Sequence, residues 1–124
     1  MPPEPRSSAA DEEARISTEI AALHDASFGG SASLDTHCLP DAVFCVIDLP
    51  LLRAEETLLT GAAGAELVRD GRREFEHSLS SHLTAIVEHT TGRRVIAFLT
   101  DSYVDPPMTV NVFRLAAAAR QPEA

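Results

Sequence analysis

The sequence predicts an α+β domain: a four-stranded, mainly antiparallel sheet packed by two long helices and one short helix, in the order αββααββ. Three observations carry that reading. Apolar residues recur at helical spacing over two long segments, 13–27 and 65–91. Each segment stops at a glycine, Gly29 and Gly92, and each is followed by two short apolar runs joined by a proline-containing turn. The length of 124 residues suits one domain, and folding at that size hides roughly two-thirds of the unfolded chain's surface.

Residues 1–12 hold three prolines, two serines and several acids without an apolar period, and read as a disordered tail. The folded domain is expected over residues 13–116, with a frayed tail at 117–124. In the first helix Ile16, Ile20, Leu23 and Ser27 share a face, and Phe28-Gly29-Gly30 ends it. Ser33–Cys38 and Val43–Leu49 form a hairpin around Pro40-Asp41, with Cys38 opposite Val43 and not opposite Cys45. A short helix covers Arg53–Thr60. The long helix carries the row Val68, Phe75, Leu79, Leu83, Ile86 and Val87, with Gly71 inside it as a point of close packing or a bend. Val95–Asp101 and Met108–Leu115 are the last two strands, with Asp105-Pro106-Pro107 between them.

Val43–Ile47 and Val95–Leu99 are apolar at every position, the pattern of strands covered on both faces. Two long helices cover one face. The other needs the short helix or a second protomer, so a homodimer is expected.

The net charge of −9 opposes nucleic acid, whose phosphates are bound by clustered Lys and Arg, and opposes anionic lipid. All ten cations are arginine, which removes lysine Schiff-base chemistry and the lysine of a phosphate-binding loop. The N-terminal residues show no secretory pattern and no apolar run could span a bilayer, so a cytoplasmic location with reduced Cys38 and Cys45 is expected, without direct membrane insertion.

No motif specifies a reaction. His82 and His89 are two turns apart on one helix, too far for one ion. Glu74 and His77 have a bundle-metal spacing, but in a single copy. Alternation sends His37 and Cys38 to opposite faces. No metal and no cofactor is expected, and no catalytic residue is assigned. Arginines remain as ligand candidates. Arg72 lies on the long helix, Arg93 and Arg94 follow Gly92 at a helix C-terminus, and Asp101 at a strand end could orient one of them around a small anion.

Further residues carry a resemblance. They are Phe28-Gly29-Gly30, Val46-Ile47, the segment Leu51-Leu52-Arg53-Ala54-Glu55 with Leu58, and Glu66-Leu67-Val68 with Arg72-Arg73. Thr91-Gly92-Arg93-Arg94-Val95, Asp101 and Val112-Phe113 complete the set. From about Glu13 to Leu115 the chain resembles the small bacterial MpsC-like domain family, named after a sodium-translocating, membrane-potential-generating system. It departs where the family often has Thr-Pro before Ala-Glu; here Leu52-Arg53 stand, without a capping hydroxyl. The resemblance implies an accessory link to ion or bicarbonate transport and no catalytic residue. The function expected is a non-enzymatic accessory or regulatory module with a protein or small-anion partner. The alternative is a small enzyme or anion-binding protein with its site between protomers.

Overall fold

The structure is a computed structural model that describes residues 8–29 and 31–117. Helix α1 spans Ala9–Phe28, four residues earlier than the apolar period alone suggests. Ser8 starts it with a capping box: its Oγ accepts from Asp11 N at 3.1 Å, and Asp11 accepts from Ser8 N at 3.4 Å. Gly29, at φ 84°, ends it in the left-handed conformation glycine tolerates best.

Strands β1 (Ser33–Cys38) and β2 (Ala42–Asp48) form the expected hairpin, with Cys38 paired to Val43. Helix α2 is short, Arg53–Leu58. Leu52 has no capping hydroxyl, and Glu55 reaches back instead to accept from Leu52 N at 2.9 Å. The long helix expected at 65–91 is two helices, α3 (Gly64–Ser78) and α4 (Ser80–Thr91). The break is at Leu79, with φ −95° and ψ 1°, where Ser78 Oγ donates to Phe75 O at 2.6 Å and Leu79 N is shared between Phe75 O and Glu76 O. It frees α3 to pack on the far edge of the sheet while α4 packs on α1. Gly71 plays neither of its expected roles: α3 runs straight through it, and the space beside it is open.

Strands β3 (Val95–Val104) and β4 (Pro107–Leu115) complete one antiparallel sheet in the order β1-β2-β4-β3, so the fold is α+β with four strands and four helices among the described residues. A bulge at Ile96 separates the Val95–Leu115 pair from the Ala97–Arg114 pair. The core lies between helices and sheet: Ile16 and Ile20 of α1, Leu83 and Val87 of α4, Val43, Cys45 and Ile47 of β2, and Phe113 and Leu115 of β4.

Two expectations change here. The all-apolar run in β3 is not a doubly covered strand; β3 is an edge strand, and Leu99 is 66% exposed. Nor does α2 cover the second face of the sheet. It packs on α3, on the side where the other helices already lie, because Arg72 of α3 holds it there.

Candidate functional site

Arg72 is 2% exposed and already fully engaged. Its Nε and Nη2 donate to Glu55 at 2.8 and 2.7 Å, its Nη1 to Leu49 O at 2.7 Å, and its Nη2 also to Pro50 O at 3.0 Å. The guanidinium sits 5.0 Å from the Phe28 ring centre. This is a bidentate clamp that ties α2 and the β2 exit to α3. Burial alone would raise the Glu55 pKa; the Arg72 hydrogen bonds, the Leu52 N–H and the Arg72 charge outweigh it and hold the carboxyl below its ordinary value.

Arg93 is at the other end of the sheet. It donates to Pro40 O and, at 2.6 Å, to Ala116 O, fastening the α4–β3 corner to the β1–β2 turn. The seven residues of β2 lie between this end and the Arg72 end, roughly 20 Å at about 3.3 Å per residue. Arg94 is exposed. Asp101 lies on β3, 3.4 Å from Arg73 Nε. The structure therefore does not bring Arg72, Arg93, Arg94 and Asp101 together, and two of the three arginines are spent on backbone carbonyls and a carboxylate.

Sequence reasoning missed a buried polar cluster. His24 is fully buried, with Nδ1 2.9 Å from Ile20 O and Nε2 2.6 Å from Glu76 Oε2. Glu76, 1% exposed, accepts through Oε1 from Asn111 Nδ2 at 2.8 Å. Asn111 Oδ1 is buried without a hydrogen-bond partner among the described residues. Burial opposes charge on His24, but the Glu76 hydrogen bond and charge, with help from Ile20 O and Asp25, raise its pKa above the ordinary value. The cluster joins α1, α3 and β4. A signal for it exists in the sequence: His24 follows Ile16 and Ile20 at four-residue steps, and Glu76 follows Val68 and Arg72 likewise.

The thiols are quiet. Cys45 is buried and accepts from Thr36 Oγ1 at 3.5 Å, and burial above all lifts its pKa to about 11. Cys38 is lifted to about 11 by burial and then by Glu13 and Glu12. An open cleft of about 520 Å³ lies between the α3 start and the β3–β4 turn, lined by Glu66, Arg69, Tyr103 and Asp105 among others.

The second face of the sheet carries no helix among the described residues. Register and alternation put Phe44, Val46, Val110 and Val112 side by side at its centre. Leu99 and Tyr103 flank them on β3, the latter 60% exposed. His37 stacks on Phe44 with ring centres 5.0 Å apart. Charged side chains rim this face: Asp35 on β1, Asp48 on β2, Asp101 on β3 and Arg114 on β4. Strand β4 is inverted in polarity over its first half. Thr109 and Asn111 point inward and are buried, while Met108, Val110 and Val112 point outward.

These features define a class: a small helix-on-sheet α+β domain with a polar cluster locked in its core and an apolar sheet face left open. The chain matches, over residues 9–117, the family described as Na+-translocating membrane potential-generating system (MpsC), and it belongs to that family. No curated protein and no solved structure matches it. Among the described residues, no helix is long and apolar enough to cross a membrane.

Proposed function

We propose that the chain is a non-enzymatic accessory module of a sodium-linked, potential-generating system, and that it works by association through the open face of its sheet. The observation that supports this most is the block of Phe44, Val46, Val110 and Val112 turned to the uncovered side. An apolar patch with a charged rim is the anatomy of an association surface. The family description supplies the system. The commitment of Arg72 and Arg93 to structural hydrogen bonds favours an associating module over an anion receptor. The net charge of −9 favours a protein partner over lipid or nucleic acid. On this reading the module acts in the cytoplasm, with Cys38 and Cys45 reduced.

The test is complementation. In a strain lacking the chain and impaired in growth at high sodium, re-supplied chain carrying Val112→Arg should accumulate but fail to restore growth, whereas Arg94→Ala should restore it. Full restoration by Val112→Arg would sink the proposal.

A further inference from the structure

We infer that the occupant of the open sheet face is a second copy of this chain, packed sheet on sheet about a twofold axis that runs across the strands. The inference rests on the reading of this face as the working surface and specifies its partner.

The register lays the face out as rows. Asp35, Val46, Val110 and Asp101 form one row, and His37, Phe44, Val112 and Leu99 the next. Asp48 lies one row beyond the first, and Arg114 one row beyond the second. Two face-to-face twofold axes are open to such a grid, one along the strands and one across them. An axis along the strands exchanges the two edges. It sets Asp35 over Asp101 of the partner subunit, twice by symmetry, which leaves two carboxylates to share the one Arg73 guanidinium at each margin. An axis across the strands keeps each strand over its own copy and exchanges the rows. It sets Val46 over Phe44 of the partner subunit and Val110 over Val112 of the partner subunit. It also sets Asp35 over His37 of the partner subunit, and Arg114 beside Asp48 of the partner subunit. The centre is then apolar, Asp101 lies over Leu99 of the partner subunit, and Arg114 meets the opposite charge of Asp48 of the partner subunit, a pairing with Asp48 that the other axis does not make, so charge selects this axis.

The area is adequate. Four strands at about 4.8 Å and four rows at about 6.8 Å cover roughly 500 Å² per copy, hence about 1,000 Å² for the pair before side-chain relief is added. That reaches the threshold of about 1,000 Å² for a biological interface, and side-chain relief carries it toward the roughly 1,200 Å² at which the standard class begins. Arg114 is not locked elsewhere: its contact with Asp41 is 3.7 Å long between side chains 59% and 57% exposed, a surface pair of small worth.

Sedimentation equilibrium over a dilution series provides the test. The unaltered chain should show about twice its 13.3 kDa monomer mass. Val112→Arg should show the monomer mass with unchanged circular dichroism, and Tyr103→Ser, a milder change at the flank, should show an intermediate loss. Asp48→Arg should weaken the dimer about tenfold by facing two arginines, and adding Arg114→Asp should restore it. A monomer at every concentration, or a dimer indifferent to Val112→Arg, overturns the inference. If the unaltered chain is monomeric and Val112→Arg still abolishes complementation, the face serves another protein: the second-copy inference falls and the accessory-module reading stands. If Val112→Arg is monomeric but complements fully, the dimer stands and the accessory reading of the face falls.

Discussion

Arg72 offers the sharpest perturbation, because it was legible as a ligand candidate and the structure makes it a clamp. Arg72→Ala removes four hydrogen bonds and leaves the Glu55 side chain, 12% exposed, without its cation. Removing one partner of a buried ion pair costs about 3–5 kcal/mol, and the loss of contact with Phe28 acts in the same direction. A domain of this size has roughly 5–15 kcal/mol in total, so the variant should lie near the edge of folding. With a urea dependence of about 1–3 kcal/mol per M, the midpoint of unfolding at pH 7 should fall by about 2 M. Arg72→Lys should recover little, since an ammonium cannot reach Glu55 and both carbonyls in one plane. Arg72→Met with Glu55→Met should recover part of the loss, because replacing both members removes the stranded charge but leaves Leu49 O, Pro50 O and Leu52 N without these partners. If Arg72→Ala stays within about 1 kcal/mol of the parent, the clamp is not what holds α2 on α3.

Other outcomes follow from single sites. Gly71→Ala should stabilise by about 0.5–1 kcal/mol, since the glycine is helical with open space beside it, and thermal melting reads this directly. Gly64→Ala should cost about 2–3 kcal/mol, because a Cβ there would clash with Leu58 O in the backbone of α2. Thiol titration should find Cys45 unreactive until unfolding, given full burial and a pKa near 11. Stability should peak in mildly acidic solution: the raised His24 pKa contributes stability that is complete below 6.5 and is lost as pH rises through the folded value. The depressed Glu55 pKa contributes stability that is present above 4.5 and is lost as pH falls through its folded value. Glu76→Gln should lower stability and flatten the alkaline limb, which chemical denaturation across the pH range would register; an unchanged limb would mean that His24 does not carry it.

Much of the fold was written in local chemistry. Gly29 and Gly92 stop their helices in left-handed conformations, and the Pro40-Asp41 turn sets Cys38 against Val43. What escaped the sequence depends on single dihedral angles or on distance. The apolar row from Val68 to Val87 passes through Leu79 without a gap, because periodicity is blind to one residue's dihedral angles. Strand order decides whether an apolar run is central or at an edge, and no local pattern fixes it; Val95–Leu99 therefore read as doubly covered although Leu99 lies open. His24 and Glu76 meet across 52 residues, and a scale that scores only apolar residues passes over both.

The inversion in β4 ties the buried cluster to the open face. A slip of one residue in that strand would carry Val110 and Val112 into the core and put Thr109 and Asn111 outside, the arrangement hydrophobicity alone prefers there. Two forces oppose it. Phe113 and Leu115, further along the strand, are buried in the existing register. Asn111 is held by Glu76, itself held by His24, and Thr109 meets Ser102 at 2.8 Å across the β3–β4 pair. A buried pair of this kind adds little net stability over apolar packing, but it penalises every register that leaves one partner stranded. The polar cluster thus specifies which side of β4 faces outward. The consequence is a sheet whose uncovered side is more apolar, at Phe44, Val46, Val110 and Val112, than the stretch of β4 beneath it. On the proposed reading of this face, association is what returns the valines' burial.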